Sequence, residues 1–362
     1  MATRNEQHST PQIEQLLRGM IEREASDLHL NVGHPPVLRI HGQLVPWSDW
    51  LSLDERMMKE VLNQLTDAVQ REAFARDLEL DFAYELSQEA RFRVNVARQR
   101  GTTCLTLRSL RLEIPTLADL GLPQACARLA LLPRGLVLVT GPTGCGKSTT
   151  LAAMIEHINR SVSRRIVTIE DPIEYVFRSR RSVITQREVG TDTHSFAAAL
   201  KYVLRQDPDV IMVGEMRDLE TIAATLTAAE TGHLVLATLH TPSAPEAVDR
   251  IVDVFPAHQQ AQVRTQLAMT LAGVLAQRLV LRTDNAGRVA ACEVMTETPA
   301  VRNLIREAKT PQMISVMQTG REHGMQTLER ALCDLYRAGV ITLDEALVHA
   351  NNVENFKRLL GG

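Results

Sequence analysis

The sequence predicts an α/β protein: a parallel sheet covered by helices on both faces, preceded by a smaller α+β domain and followed by a helical tail. Three observations predict it. All-apolar runs of β-forming residues at 136–139, 166–169 and 210–213 alternate with segments of helical spacing, the pattern of strands buried on both faces of a parallel sheet. The first run breaks into a glycine-rich turn, Gly141-Pro142-Thr143-Gly144-Cys145-Gly146-Lys147-Ser148. Ahead of it, helical spacing mixes with alternating strands, as in a small α+β domain.

Taken in order, Ile13, Leu16, Leu17, Met20 and Ile21 share one helix face. Residues 26–30 and 37–40 alternate like strands, with Gly33, Pro35 and Pro36 at the turn. Residues 53–70 return to helical spacing, and 78–86, 91–97 and 104–110 read as strands. This predicts a first domain over 1–112. Its second half holds Arg91, Arg93, Arg98, Arg100, Arg108 and Arg111. Arg91 and Arg93, two apart on a strand, share a face. That face is either solvated sheet surface or a set of fork-shaped donors for phosphate. Residues 113–122, with Pro115 and Gly121, form a linker, and 123–362 the second domain, opening with a helix over 123–132. The polar first ten residues carry no apolar signal stretch and are expected to be disordered.

The turn after residue 140 matches G-x-x-x-x-G-K-[ST] in full, with a strand before it and a helix after it. Gly141, Gly144 and Gly146 permit backbone angles that turn successive N–H groups onto a phosphate. Lys147 would reach the β- and γ-phosphates, and the Ser148 hydroxyl would sit on Mg²⁺. Thr149 opens the helix over 149–158, whose positive end faces the same anion. Residues 141–149 are therefore candidates for a nucleoside triphosphate. The Cys145 thiol, beside the anion and Lys147, is expected to be reactive.

The strand at 166–169 ends in Glu170-Asp171-Pro172-Ile173-Glu174, and that at 210–213 in Gly214-Glu215-Met216-Arg217-Asp218. Helices are predicted over 196–205 and 219–230, and a strand over 233–240 with His233 and His240 at its ends. Open α/β sheets place ligands at such carboxyl ends of strands; the pattern is RecA-like. Triphosphate hydrolysis needs a metal, an oriented water and charge neutralisation. Gly214 stands where an Asp would ligate Mg²⁺ directly, so Glu215 is expected to act beside the metal's water. Glu174 is the first choice for orienting or deprotonating the attacking water, ahead of Glu170 and Asp171. His233 and His240 face opposite sides, so one of them is expected to see the site. The Thr231-Gly232-His233 turn is a candidate γ-phosphate sensor. Residues 279–281 and 288–294 form a hairpin around 284–287. From Pro299 the pattern is helical, broken at Pro311, Gly320, Gly324 and Gly339.

Composition narrows the function. Net charge is −3, and neither a basic stripe nor aromatic platforms mark a nucleic-acid tracker. No apolar run approaches the ~18 residues of a membrane span. The cysteines at 104, 126, 145, 292 and 333 form no C-x-x-C pair. Neither a zinc site nor a disulfide framework is suggested, which fits a reducing, cytoplasmic setting.

Nearly chain-wide, the segments ASDLHLNVGHPPVLRIHG, ARFRVN, PRGLVLVTGPTGCGKSTTLAAM, TIEDPIEY, DPDVIMVGEMRDLET, TAAETGHLVLATLHT, TPAVRNLIREAKTPQM and GMQTL resemble the PilT-type type IV pilus retraction (twitching motility) ATPases of the secretion ATPase superfamily. The resemblance implies a PAS-like amino-terminal domain, a RecA-like ATPase domain and a ring-shaped homohexamer using ATP and Mg²⁺. Nucleotide would lie between the two domains. By motif, Glu174 becomes the catalytic base and Glu215 the Walker B acid, on the metal side with Ser148. His233 and His240 become the His-box pair, and Arg91, Arg93 and Arg108 phosphate contacts. The implied partners are the inner-membrane pilus platform protein and a second retraction ATPase paralogue, at the cytoplasmic face of the inner membrane. An accessory retraction paralogue is an alternative, as is a non-hydrolysing nucleotide-binding regulator, for which Gly214 is the best support. An extension or type II secretion ATPase would carry a paired-cysteine zinc insertion that is missing. The VRNLIRE stretch resembles an element tied in this family to retraction, so deleting residues 301–307 is expected to spare ATP turnover but stop retraction. Its other reading is an amphipathic helix burying Val301, Leu304 and Ile305.

Overall fold

Strand alternation builds the amino-terminal part of the molecule. The computed structural model describes residues 12–40, 42–87, 90–110, 113–284 and 287–361, in two units, Met1–Glu113 and Ile114–Gly362. The first ten residues, Arg111 and the Asn285-Ala286 step of the hairpin turn lie outside the described residues. The first unit runs α1 (Ile13–Glu22), β1 (Asp27–Asn31), β2 (Val37–Ile40), β3 (Gln43–Pro46), α2 (Glu55–Leu65), α3 (Ala68–Asp77), β4 (Glu79–Leu86), β5 (Ala90–Gln99) and β6 (Thr102–Leu110). Its antiparallel sheet has the order β3-β2-β1-β6-β5-β4. On β5, Phe92, Val94 and Val96 are buried while Arg91 and Arg93 turn to the other face. Leu16, Leu17 and Met20 of α1 and Met58, Val61 and Leu65 of α2 complete that core. The predicted helix over 53–70 is two helices. Asp67 starts a new one, accepting from the Gln70 N–H while the Gln70 side chain accepts from the Asp67 N–H. Strand β3 was not predicted: it is exposed at every position, so it has no alternation to read.

The second unit runs α4 (Gln124–Ala130), β7 (Gly135–Thr140), α5 (Lys147–Ser161), β8 (Arg165–Glu170), β9 (Val183–Glu188), α6 (Phe196–Val203), β10 (Val210–Val213), α7 (Leu219–Glu230), β11 (Leu234–Leu239), α8 (Ala244–Asp253), α9 (Ala257–Thr270), β12 (Leu271–Leu281), β13 (Arg288–Thr296), α10 (Pro299–Arg306), α11 (Met313–Thr319), α12 (Leu328–Arg337), α13 (Leu343–His349) and α14 (Val353–Gly361). The sheet order is β13-β12-β7-β11-β10-β8-β9. Every neighbour pair is parallel except the β12–β13 hairpin at the edge. Strands β7, β10 and β11 are buried throughout, because helices cover both faces. Val137 and Val139 point to the α4–α5 side, and Leu136 and Leu138 to the side of α6 to α11. Helices α12 to α14 cover the outer half of the hairpin.

Strand β9, helices α8 and α9 and the first half of β12 were not predicted. Strand β9 is an edge strand with no clear alternation. Helix α8 carries a legible signal: Ser243 caps it ahead of Glu246, and Val248, Ile251 and Val252 share its buried face. Among the described residues, no helix is long and apolar enough to cross a membrane.

Helix α10 has the form of the other reading of residues 301–307, an amphipathic helix. Val301 and Ile305 are buried in the same core as the central strands, and α10 packs on α9. Deleting the segment would open that core, so a loss of both turnover and retraction would mark it as structural. Ile305→Ala should cost about 2–5 kcal/mol, seen as a lower denaturation midpoint. An unchanged midpoint would mean that α10 does not contribute to the core.

Candidate active site

The phosphate loop is what remains when β7 ends at Thr140 and α5 begins at Lys147. Gly141 has φ of 140°, a conformation that side chains avoid. A Cβ there would also overlap the Gln277 carbonyl oxygen and lie 2.6 Å from the Cys145 sulfur. Pro142, Thr143 and Gly144 are exposed, and Gly146 caps α5 in the left-handed region. Lys147 Nζ donates to the carbonyls of Gly141 at 2.8 Å and Pro142 at 3.1 Å, and lies 3.4 Å from His240 Nδ1. Burial pulls the Lys147 ammonium down, while the Cys145, Glu215 and Glu174 charges oppose this. Ser148 is exposed in the first turn of α5. Thr149 Oγ1 shares a 2.9 Å hydrogen bond with the Tyr175 hydroxyl, which fixes the helix start to the segment after β8.

Cys145 does not behave as expected. Its side chain is buried, and burial pushes the thiol up against the opposing pull of Lys147. A protonated, enclosed thiol is a poor nucleophile. What Cys145 contributes is backbone: its carbonyl accepts from Gln277 Nε2 at 2.6 Å. Gln277 is buried on β12, and its Oε1 accepts from Thr150 Oγ1 at 2.9 Å. Sequence reading missed it. Its signal was a lone glutamine inside the apolar run that opens β12.

Glu215 follows β10, beside the loop. Its Oε1 accepts from Arg217 Nε at 2.6 Å and lies 2.8 Å from His240 Nε2. Burial pushes the carboxyl up, but the Arg217 guanidinium and the His240 ring pull it further down, below its usual range. The chain of contacts Lys147–His240–Glu215–Arg217 thus joins the loop to the end of β10. Gly214 is explained by crowding: a Cβ there would come within 3.2 Å of the Ile169 carbonyl oxygen on β8. The Gly214 carbonyl itself accepts from Thr238 Oγ1 at 2.5 Å.

Glu170, Asp171 and Glu174 gather at the carboxyl end of β8. Glu170 is buried, with its pKa pushed up to about 7 by desolvation, although Thr168 Oγ1 at 2.6 Å and Gln186 Nε2 at 3.0 Å donate to it. The Glu174 backbone N–H also donates to Glu170. The field of the Glu174 side chain reaches Lys147, and that of Asp171 reaches Arg217.

The two histidines separate. His240 follows the last residue of β11, where Leu239 pairs with Thr140 at the mouth of the loop. His233 precedes the first, where Leu234 pairs with Gly135. At strand rise that is about 20 Å from the loop. Its Nδ1 contacts the Ala228 carbonyl at 2.9 Å and Thr231 Oγ1 at 3.2 Å. The Thr231-Gly232-His233 turn therefore does not reach the γ-phosphate position of its own loop.

In the amino-terminal unit, Arg93 pairs directly with Arg108 across β5 and β6, and Arg91 lies on the same face. Arg108 Nε donates to Asp27 at 2.8 Å, and Arg93 lies 3.7 Å from Asp81. Burial raises the Asp27 carboxyl, but Arg108 and Ser26 outweigh this and hold it below its ordinary value.

The model of the Type II/IV secretion system protein family matches residues 3–348. The chain belongs to that family. Members similar along nearly their whole length include the type IV pilus retraction ATPase PilT of Pseudomonas aeruginosa, 47% identical over 95% of this chain and 99% of that protein. The type IV pilus ATPase PilU of the same organism is 42% identical over 96% of this chain and 91% of that one. Among solved structures, the pilus retraction motor PilT with bound ADP matches with a TM-score of 0.91 at 45% identity, covering 96% of this chain and 99% of that one. The secretion ATPase fold of this family is thus present from the first unit to the helical tail.

Two measurements check the site. A thiol reagent should modify the half-buried Cys104 in the native protein and Cys145 only after unfolding, as read by mass spectrometry. Rapid native labelling of Cys145 would contradict its burial. Because the folded-state pKa of Glu170 is raised, the folded chain holds a proton there that the unfolded chain releases, so stability falls as pH rises from 4.5 to about 7. Glu170→Gln should remove that loss and gain on the order of 1–3 kcal/mol over wild type between pH 5 and pH 8, measured by denaturation at both values. A pH-independent difference would refute the assignment.

Proposed function

We propose that this chain is a motor ATPase that hydrolyses ATP to power type IV pilus retraction, working as a ring-shaped homohexamer. One observation carries the reading. The loop, Lys147, His240 and Glu215 form a contiguous set in a chain that is similar end to end to a retraction ATPase. Glu174 is the base for the attacking water, which the reach of its charge to Lys147 supports. Glu215 is the Walker B acid, steadied by His240 and Arg217. His233 belongs to the His box but acts away from its own loop.

Among the described residues, no cluster of three or more His, Cys, Asp or Glu side chains could hold a metal ion unaided. That suits Mg²⁺, which binds through one or two protein groups and the phosphates of its nucleotide. The exposed Ser148 hydroxyl and the ionised Glu215 fit this role, since both contacts of the Glu215 carboxylate fall on Oε1. When bound, Mg²⁺ neutralises charge on the phosphates.

The amino-terminal unit, an antiparallel sheet backed by helices, is the PAS-like module. Its Arg91, Arg93 and Arg108 are donors for nucleotide phosphate, and their shared face supports this. The ring works at the cytoplasmic face of the inner membrane on the platform protein of the pilus base, alongside a second retraction ATPase paralogue. The similarity to PilU favours one alternative, an accessory retraction motor.

Purified protein should turn over ATP, and Lys147→Ala should lower turnover at least a hundredfold by removing the phosphate-binding cation. Normal activity in that variant would sink the site assignment. In a strain without its retraction ATPase, the chain alone should restore twitching. Restoration only in the presence of the other paralogue would identify the accessory motor.

A further inference from the structure

Gln277 touches more of the phosphate loop than any residue outside it that has been described above. Its Nε2 donates to the Cys145 carbonyl at 2.6 Å, and its Oε1 accepts from Thr150 Oγ1 at 2.9 Å. Its backbone carbonyl packs against Gly141, and a Cβ on Gly146 would sit 3.3 Å from its Nε2. The side chain is buried, so no water competes for these bonds.

The bond to Cys145 has a directional consequence. A trans peptide is planar, with its C=O and N–H pointing opposite ways. Holding the Cys145 carbonyl down on Gln277 turns the Gly146 N–H away from β12. If that peptide flipped, a carbonyl dipole would replace an N–H dipole where an anion is to bind. Gly146, at φ of 88°, has no side chain to resist such a flip. Thr150 fixes which end of the amide faces the loop, because its hydroxyl donates to Oε1 and leaves Nε2 for the carbonyl. On the next residue of β12, Arg278 donates to the His349 carbonyl and to Asn351 Oδ1, both at 2.6 Å. These bonds anchor the strand from its other face, so the amide has a fixed base.

We propose that Gln277 is a positioning residue for the nucleotide's phosphates: it locks the Cys145–Gly146 peptide in the orientation that presents N–H to the anion. This rests on the ATPase reading above. It predicts weaker binding of ground and transition states alike, because the loop holds phosphate in both.

The test compares Gln277→Met and Gln277→Glu with wild type. Methionine keeps length and apolar volume but has no donor; glutamate keeps shape and, once ionised in assays run at about pH 9, presents only acceptors to the Cys145 carbonyl. Both should raise the dissociation constant of a fluorescent ADP analogue and the KM for ATP about tenfold, with kcat changed less than about threefold. Gln277→Glu should be at least as impaired as Gln277→Met. Thr150→Val, which leaves Gln277 in place but frees its amide to turn, should show the same pattern at smaller amplitude, and serves if the Gln277 variants do not fold. An unchanged KM in the folded variants, or a fall in kcat at constant KM that tracks lost folded protein, would overturn the proposal. Wild-type protein that binds no ATP would instead overturn the ATPase reading on which it stands.

Discussion

The parallel pairing of β7 with β12 is the constraint on which the site depends. Its register runs from Leu271 against Leu136 to Ala276 against Thr140, with one irregularity before Gly273. The pairing stops where the phosphate loop starts. The next residue on β12 is Gln277, so its carbonyl meets Gly141 and its amide meets Cys145 without any further device. A slip of one residue would turn Gln277 to the opposite face and bring an arginine under the loop. Gly273 lets the strand come close to α4, since a Cβ there would lie 2.8 Å from the Leu129 side chain. Gly273 and Gln277 share the face of β12 that looks onto α4 and α5, so close packing at the start of the strand holds the register that the loop needs at its end.

Around that loop, the environment divides the carboxylates. Glu170, desolvated at the carboxyl end of β8, is pushed up to about 7, whereas Glu215 is drawn down by Arg217 and His240. Environments that push two acids apart assign them different work. Here the arrangement also reduces repulsion toward a triphosphate. Glu170 is partly neutral, and Glu215 is paired with cations. The charges of Glu215 and Glu174 counter the burial that would discharge Lys147.

The same economy of buried polar groups ties the helical tail to the sheet. Glu293 on β13 is buried and pushed up to about 7 by desolvation. It accepts the first N–H of α8 at 2.7 Å, and its carboxylate also receives the Leu328 N–H at the start of α12. Helix starts favour negative charge and leave N–H groups to satisfy. Since α8 follows His240 directly, the histidine end of β11, the hairpin and the tail share one buried junction. With Val301 and Ile305 packed into the central core, the segments after residue 296 are part of the scaffold under the site.

How much of this was legible follows from the range of each interaction. The phosphate loop, the three apolar strands, the acidic strand ends and the β12–β13 hairpin could be read because each is specified by residues adjacent in the chain. Glycine conformations, alternation and capping are local. Family membership rested on the same contiguous motifs. The rest was decided by which strands lie side by side. Only the pairing of β11 with β7 shows that His240 reaches Lys147 while His233 sits at the opposite end of the strand. Only burial shows that the Cys145 thiol is enclosed and that α10 is core. The sequence by itself determined that this protein has a phosphate loop on a parallel sheet. Tertiary structure decided which side chains hold that loop, because the partners of Gln277 lie more than a hundred residues away in the chain and meet it only through strand register.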